Sequence, residues 1–207
     1  MEEIRNITWG LWGAELSHVQ TIQRIITAGF PIWKADPQPH SPALEMFAIV
    51  EGESGEYQRA WHSNVRRHDN EDKTIIRYEQ TGTGFVPIPI GETRDLEFMY
   101  VKSIDLGFMQ MNKIVNQFIE MGFEAVEDFV NAEFAKYPGL DSPVESCKQA
   151  LAMWKQRGFQ PWYAWQPGTE RFRAKKRYGA IAFAQWLVNS YVGKDPDTNK
   201  VPKVGYL

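Results

Sequence analysis

The sequence predicts a mainly helical domain that carries one small β-hairpin. Apolar residues recur at helical spacing in several segments, and Ser-Pro pairs and glycines mark the ends of those segments. Alternation typical of strands is confined to one short stretch. At 207 residues, with 43% hydrophobic and 24% charged residues, the chain is long enough to bury a core and has an ordinary globular composition.

The first two helices are predicted from spacing and from end signals. Residues 15–29 place apolar side chains at positions 19, 22, 25 and 26, and Gly29 is a natural stop. Ser41 and Pro42 together indicate an N-cap followed by proline at the first helical position. The sequence therefore predicts a second helix over roughly 42–54 that ends at Gly55, after a proline-rich loop.

Three further helical segments follow in the second half of the chain. Residues 111–137 have helical patterning, which Gly122 divides in two. Ser142-Pro143 predicts the start of another helix, which closes at Gly158, and Thr169 is a candidate cap for a last long helix. These signals predict that the β structure is an insertion in a helical domain.

The β insertion is predicted within residues 65–102. Two short strands, joined by a glycine-containing turn, are expected over about 74–90. Pro87 and Pro89 confine the second strand to a sheet edge. The expected organisation is an N-terminal helix and proline-rich lead-in over 1–40, a main domain over 41–192, and a tail over 193–207.

Composition excludes several classes of protein. The single cysteine, Cys147, excludes an internal disulfide framework, and a buried thiol is expected. The four histidines show no metal-ligand spacing, and a charged loop is expected to hold His62 and His68. No glycine-rich phosphate loop is present, so neither a metal nor a cofactor is expected.

The ends of the chain bear on localisation and partners. The N-terminus lacks an apolar stretch of signal-peptide length, and no apolar run is long enough to span a bilayer. A protein made in the cytoplasm, with no membrane span, is expected.

The C-terminal part of the chain is basic. Residues 166–207 carry 8 Lys and Arg against 3 Asp and Glu, although the whole chain has a net charge of −3. The basic run 171–177 raises nucleic acid as a partner. Its charges spread around a helix, so a solvated face and no nucleic-acid partner are expected.

Three carboxylates near the end of the second helix are candidates for acid–base chemistry. Glu51 and Glu53 both continue apolar stripes, and periodicity does not choose between them. Glu53 lies in the last turn, where the helix dipole and partial burial both disfavour its charged form. A carboxyl with a raised pKa suits general-acid chemistry, although a helix-end glutamate turned to solvent is the simpler interpretation. Glu56, beyond the glycine, is expected at the surface.

Three segments, taken in order, resemble a known family. They are Glu53-Ser54-Gly55 followed by Asn64, the stretch "SIDLGFMQMN" over 103–112, and the stretch over 141–168 that ends in "GFQPWYAWQPG". Together they resemble the lysozyme-like superfamily of soluble lytic transglycosylases and goose-type lysozymes. The resemblance implies a lysozyme-like fold, mainly α with an α+β element, and cleavage of peptidoglycan glycan strands.

The resemblance also implies a mechanism. Glu53 would protonate the oxygen of the β-1,4 bond between MurNAc and GlcNAc and then, as a base, take a proton from the substrate's own 6-hydroxyl, which leaves a 1,6-anhydro sugar. A hydrolytic lysozyme would instead use a second carboxylate, and Asp105 is the nearby candidate. The transglycosylase route is favoured narrowly. A catalytically inert glycan-binding or structural virion component is the remaining alternative.

The resemblance and the residue types together nominate the substrate contacts. Amide, hydroxyl and aromatic groups suit N-acetyl sugars, and the candidates are Ser54, Tyr57, Asn64, Asp105, Gln110, Asn112, Trp162 and Trp165. Structural roles are open for each of them: Ser54 as a helix cap, Asp105 as a turn residue, and the aromatic residues as core. A wall-degrading protein made without a signal peptide is typical of bacteriophages. Delivery through a holin or within a virion, beside other virion proteins, is therefore expected.

Overall fold

The computed structural model describes residues 4–5, 7–34, 40–65 and 75–191. Within these residues the chain forms seven strands and five α-helices. The strands are β1 (Ile4–Arg5), β2 (Trp9–Glu15), β3 (Tyr57–Val65), β4 (Arg77–Thr81), β5 (Gly84–Pro87), β6 (Phe98–Leu106) and β7 (Met111–Glu120). The helices are α1 (His18–Thr27), α2 (Pro42–Glu53), α3 (Phe123–Lys136), α4 (Pro143–Arg157) and α5 (Glu170–Tyr191).

All seven strands belong to one antiparallel sheet with β6 at its centre. β7 pairs with one edge of β6, and β3 and β4 pair with the other edge. β2 and β1 continue the sheet beyond β3, and β5 extends it beyond β4. The N-terminal segment therefore shares a sheet with strands that follow the predicted catalytic helix.

The structure confirms several of the predicted helix ends. Ser41 Oγ accepts a hydrogen bond from the Leu44 N–H, with Pro42 in the first turn of α2. Ser142 caps α4 in the same way, and Gly158 ends it. Thr169 Oγ1 accepts from the Phe172 N–H at 3.2 Å. These caps satisfy N–H groups that have no partner within a helix, which is why local sequence predicts them.

The core joins the helices to one face of the sheet. α2 is buried along most of its length, and its side chains share one apolar cluster with residues of α1, α3, α4, α5 and the central strands. α2 and α5 approach closely at Gly179, where a Cβ would lie 2.6 Å from the Phe47 ring. Phe108, Met109 and Cys147 are fully buried, and burial of the Cys147 thiol was expected from the sequence.

The predicted fold class is wrong. The protein is an α+β structure built on an extensive antiparallel sheet, and is not a mainly helical domain with a small β insertion. The predicted hairpin exists as β4 and β5, and β5 lies at a sheet edge as its prolines require. The prediction missed β1, β2, β3, β6 and β7. β3 pairs with β2 and β6, which are both distant in the sequence, whereas β6 and β7 form a hairpin that was missed because 111–120 has the apolar spacing of a helix.

The segment 111–120 was predicted to be helical and is strand β7. Ser103 pairs with Ile114 but Val101 pairs with Gln117, so β7 carries one residue more than β6 over this interval. Asn116 takes up the extra residue with φ of +54°, a conformation that asparagine tolerates. Met111, Val115 and Ile119 pack against the core from one face, whereas Ile114 is exposed and Phe118 stacks on Phe85. Apolar residues on both faces of the strand therefore imitate helical spacing.

The described helices and the limits of the described residues bear on two further predictions, the absence of a membrane span and the C-terminal tail. None of the helices in the described ranges is long and apolar enough to cross a membrane. The polar segment 66–73, which contains His68, and the predicted tail 193–207 lie outside the described residues.

Candidate active site

Glu53 is the last residue of α2 and lines two cavities. The first has a volume of about 240 Å³, and its lining includes Asp105 of β6, His62 of β3 and Gln110 of the turn between β6 and β7. The second has a volume of about 220 Å³ and lies against the turn before α5, with Tyr163 and Arg171 in its lining. The helix end therefore presents one partly buried carboxyl to two open spaces.

The Glu53 carboxyl is held by the backbone of a distant turn. The Ala164 N–H donates a hydrogen bond to Glu53 Oε1 at 2.7 Å. Gly52 allows this approach, because a Cβ at position 52 would lie 2.7 Å from the Ala164 Cβ. The sequence puts the two partners 111 residues apart, and only the packing of this turn against α2 brings them together.

Asp105 lies in a row of polar side chains that crosses three strands. His62 of β3 and Asn112 of β7 are its direct neighbours in register, and Asn64 lies two residues further along β3. Asn112 Nδ2 donates to Asp105 Oδ1 at 2.7 Å, and Asn64 Nδ2 donates to Oδ2 at 2.8 Å. His62 Nδ1 lies 3.7 Å from Oδ2. Asp105 is therefore a strand residue with a fixed orientation, not a turn residue.

The two carboxyls have pKa values shifted in opposite directions. Burial raises the pKa of Glu53; the Asp105 charge adds to the rise, whereas the Ala164 hydrogen bond and His62 oppose it. Burial alone would raise the pKa of Asp105, but the neighbouring His62 and the hydrogen bonds from Asn112 and Asn64 outweigh it and lower that pKa overall. Glu53 thus favours its protonated form and Asp105 its ionised form. Acid–base active sites contain such pairs of carboxyls with pKa values shifted apart.

No family model, curated protein or solved structure matches the chain. The candidate site therefore rests on its own geometry and chemistry.

The structure brings only some of the predicted site residues together. Glu53, Asp105 and Gln110 line the first cavity, with Asn64 and Asn112 bound to Asp105. Gln110, which has φ of +48°, donates from its side-chain amide to the carbonyls of Ala60 and Gly107. Its amide nitrogen thus fixes the turn beside the cavity.

The other four predicted substrate contacts lie where their side chains pack within the fold. Ser54 is fully buried and its hydroxyl donates to the Val50 carbonyl at 3.0 Å, so it caps α2. Trp162 is buried and its indole N–H donates to the Met109 carbonyl. Tyr57 is buried, and neither Tyr57 nor Trp165 lines either cavity. Ser54, Tyr57 and Trp162 are buried and Trp165 is partly buried against the core, so each has a structural contact, and substrate binding by these four side chains stays a prediction.

Sequence reasoning missed three residues of the site. His62 was expected in a charged loop, but it lies on β3 beside Asp105. Tyr163 is 90% exposed at the second cavity, and Trp9, 39% exposed, lines the first. The signal in the sequence was the alternation of Trp61 and Val65 with His62 and Asn64, which in a strand places the two polar side chains on one face.

Glu56 is not the surface residue that the sequence suggested. Its side chain is buried, and Oε2 lies 2.7 Å from Nδ1 of His18. Burial raises its pKa, while His18 counteracts the rise. The His18 ring stacks on Tyr178 of α5. Glu56 lines neither cavity, so the pair is a structural connection between α1, α5 and the turn after α2.

The basic run of α5 is partly neutralised by α2. Lys175 forms an ion pair with Glu51, and Lys176 forms one with Glu45 at 3.4 Å. Arg177 pairs with Glu170 within α5 itself. The expected solvated face is wrong for Lys175, whose side chain is only 14% exposed. Glu51 is thus a structural partner of α5, and the run does not present a continuous basic surface.

Groups of three or more potential metal ligands are absent from the described residues. A wider concavity, about 590 Å³, lies beside the β4–β5 hairpin. Its arginine, Arg94, already pairs with Glu79 and Glu92. The paired carboxyls at Glu53 and Asp105 are therefore the strongest candidate for chemistry.

We expect Gly52→Ala to weaken the contact between Glu53 and the Ala164 N–H and, for the cleavage reaction proposed below, to lower the rate about tenfold. The added methyl group must displace the turn at Ala164, and losing a hydrogen bond to a charged group costs about 1.5 kcal/mol. Because that hydrogen bond lowers the pKa of Glu53, its loss raises this pKa further and moves the basic limb of the pH–rate profile to higher pH. Gly82→Ala is the control, since a Cβ there meets nothing within 4 Å. Unchanged rates and pH profile in Gly52→Ala would contradict the assigned role of Ala164.

Proposed function

We propose that the protein is a glycosidase that cleaves the β-1,4 bond between the N-acetyl sugars of peptidoglycan. One observation carries the proposal: Glu53 and Asp105 line one cavity, and their pKa values are shifted in opposite directions. Glycosidases use such a pair to protonate the leaving oxygen and to stabilise the positive charge that develops on the sugar. The substrate class is supported by the resemblance of the segments around Glu53, over 103–112 and over 141–168.

In the proposed reaction Glu53 donates its proton to the glycosidic oxygen as the bond from that oxygen to C1 breaks. The ionised Asp105 stabilises the oxocarbenium-like charge at C1. The Glu53 carboxylate then takes a proton from an incoming water, whose oxygen forms the new bond to C1. The acid is regenerated and the products are two glycan ends, one of which is reducing.

The transglycosylase route is the second candidate. Both carboxylate oxygens of Asp105 accept hydrogen bonds from asparagine side chains. These two hydrogen bonds hold Asp105 in place, which favours an electrostatic role over a nucleophilic one. An electrostatic role is compatible with hydrolysis and with the transglycosylase reaction. In this route the substrate's 6-hydroxyl replaces water, and Glu53 takes the proton of that hydroxyl.

Mass analysis of digested sacculi tests the proposal. Purified protein is expected to release soluble glycan fragments with reducing ends, and a 1,6-anhydro end would differ by the mass of one water. Reducing ends support hydrolysis with Asp105, whereas anhydro ends assign the second candidate. Sacculi that remain intact, while the protein is folded by circular dichroism, would overturn both and leave the inert glycan-binding alternative.

The opposed pKa shifts predict a broad bell-shaped dependence of kcat/KM on pH. As pH falls, activity is lost when Asp105 becomes protonated, at a pH below the usual range of aspartate because its pKa is lowered. As pH rises, activity is lost when Glu53 is deprotonated, above the usual range of glutamate because its pKa is raised.

His62 provides a test of that assignment. Its proximity lowers the pKa of both carboxyls, so His62→Gln is expected to move both limbs of the profile to higher pH. His40→Gln, which lies at the bridge between residues 34 and 40, is the control and is expected to leave both limbs in place. A His62→Gln profile that coincides with the wild type would separate His62 from the site.

A further inference from the structure

A row of four side chains in register crosses the sheet at the first cavity. Trp9 of β2 is paired with His62 of β3. His62 is paired in turn with Asp105 of β6, and Asp105 with Asn112 of β7. Paired positions of an antiparallel sheet direct their side chains to the same face. Trp9, His62 and Asp105 all line the first cavity, so the indole and the ionised carboxyl border one space.

Trp9 is uncovered at this cavity, in contrast to its neighbouring tryptophans. It is 39% exposed, and within the described part of the chain no aromatic ring stacks on it. Trp61, which also lines the first cavity, is only 2% exposed and packs edge-on against Trp12. An indole that borders a cavity without being covered is available to a ligand in that cavity.

The lining of the first cavity matches the two kinds of surface on a sugar ring. Trp9 and Leu11 supply apolar surface, whereas Glu53, Asp105 and Gln110 supply polar groups. A pyranose ring has C–H groups on its faces and hydroxyl groups at its edge, so it can pack on an indole while its hydroxyls form hydrogen bonds.

The size of the first cavity limits it to one ring. Its volume of about 240 Å³ lies below the range of about 300–1,000 Å³ for pockets that hold drug-sized ligands. Neighbouring strands are about 4.8 Å apart, so the backbones at Trp9 and Asp105 are separated by about 10 Å, with His62 between them. A single sugar can therefore lie over His62, with the indole on one side and the carboxyl on the other.

We propose that Trp9 is a stacking surface for the sugar whose C1 reacts, which lies in the first cavity between the indole and Asp105. The inference rests on the proposed function, because Asp105 faces the charge that develops at C1. In the bond between MurNAc and GlcNAc this carbon belongs to MurNAc. Among the described residues that line this cavity there is no arginine or lysine for the lactyl carboxylate of MurNAc. We therefore expect the site to recognise the ring and not the carboxylate.

Binding to a catalytically inactive protein tests the inference. In a Glu53→Gln background, the probe is a soluble β-1,4-linked tetramer of N-acetylglucosamine, which has the rings of the wall glycan without its carboxylates. Adding Trp9→Ala is expected to raise the Kd for the tetramer about tenfold, because the stacking surface is lost. Adding Trp9→Phe keeps an aromatic face and is expected to raise the Kd by no more than about threefold.

Proton NMR of the bound tetramer gives a readout that a purely structural role of Trp9 would not change. Sugar C–H protons that lie over an indole face are shielded by the ring current, so their signals are expected to move upfield in the Glu53→Gln protein. Trp9→Ala is expected to reduce this upfield shift. An upfield shift of the same size in bound Trp9→Ala protein would contradict stacking on Trp9.

Trp33→Ala provides the matched control. Trp33 is 46% exposed but lines neither cavity, so its replacement is expected to leave the Kd and the NMR shifts unchanged. Circular dichroism checks that each variant is folded. A Kd that folded Trp9→Ala protein leaves unchanged, or that Trp33→Ala raises equally, would overturn the inference, as would the absence of tetramer binding by the Glu53→Gln protein.

Cleavage assays separate this inference from the proposed function. With Glu53 intact, Trp9→Ala is expected to raise KM for glycan strands more than it lowers kcat, because stacking holds the ring in the ground state and in the transition state alike. If wild-type protein cleaves no glycan but tetramer binding depends on Trp9, the proposed function fails and the stacking site stands. If wild-type protein cleaves sacculi but tetramer binding does not depend on Trp9, the stacking site fails and the glycosidase stands.

Discussion

Glu53→Gln is expected to lower the rate of glycan cleavage by about 10²- to 10⁴-fold, with the fold intact. Glutamine keeps the carbonyl oxygen that accepts the Ala164 hydrogen bond, but it has no proton to give to a glycosidic oxygen. The measurement is the rate of release of soluble fragments from sacculi by wild type and variant at equal concentration. A variant that clears sacculi at the wild-type rate would show that Glu53 is not the acid.

Glu45→Gln is the matched control for this prediction. Glu45 belongs to the same helix and pairs with Lys176, but it lines neither cavity. Its replacement removes one carboxylate from α2 and is expected to leave the cleavage rate within about twofold of wild type, because an exposed or partly exposed ion pair contributes about 1 kcal/mol or less. A comparable loss in both variants would indicate a general effect of charge on α2.

The stability of Glu53→Gln provides an independent check on the direction of the Glu53 pKa shift. Because its folded-state pKa is raised, Glu53 favours folding at pH values below its unfolded-state pKa, and that contribution is lost as pH rises through the folded-state pKa. Glutamine does not titrate. The Tm of the variant relative to wild type should therefore increase as pH rises from acid to neutral. A constant difference across this range would contradict the raised pKa.

Asp105→Asn is expected to lower the cleavage rate on the order of 10²-fold, because it removes the negative charge that faces the developing cation. It is also expected to destabilise the fold by about 2 kcal/mol, since asparagine has one acceptor oxygen for the two amides that Asp105 accepts from. The measurements are the fragment release rate and the denaturant midpoint at pH 7. Folded Asp105→Asn protein with the wild-type rate would exclude a catalytic role for Asp105.

The pH dependence of Asp105→Asn separates charge from structure. The lowered folded-state pKa means that Asp105 stabilises the fold above its unfolded-state pKa and loses that contribution as pH falls through the folded-state pKa. The stability difference between wild type and variant should therefore shrink at acidic pH. Asp95→Asn, at an exposed position in the loop before β6, is the control and should leave the cleavage rate unchanged.

Local chemistry explains which elements could be predicted from the sequence. The ends of α2, α4 and α5 depend on contacts within three or four residues, such as the serine and threonine caps, and these were predicted. The β4–β5 hairpin also closes over a short turn. The helix predicted for residues 111–120 was wrong, because apolar residues on both faces of strand β7 gave it the apolar spacing of a helix.

In the candidate site too, the features that depend on near neighbours in the chain were predicted and those that depend on distant contacts were missed. The position of Glu53 at the end of a helix, and the raised pKa expected there, followed from sequence. The hydrogen bond from Ala164 did not, because it joins residues 111 positions apart. The roles of His62 and Tyr163 were also missed, since neither exposure nor sheet register is encoded in a short motif.

By itself the sequence determined the capped helices, the hairpin and the carboxyl at the end of α2. Each of these depends on steric and hydrogen-bonding preferences that act between near neighbours in the chain. Only the tertiary structure decided the extent of the sheet, the row from His62 through Asp105 to Asn112, and the two cavities around Glu53. Strand pairing and burial bring distant residues together. The opposed pKa values of the two carboxyls are a consequence of those distant contacts.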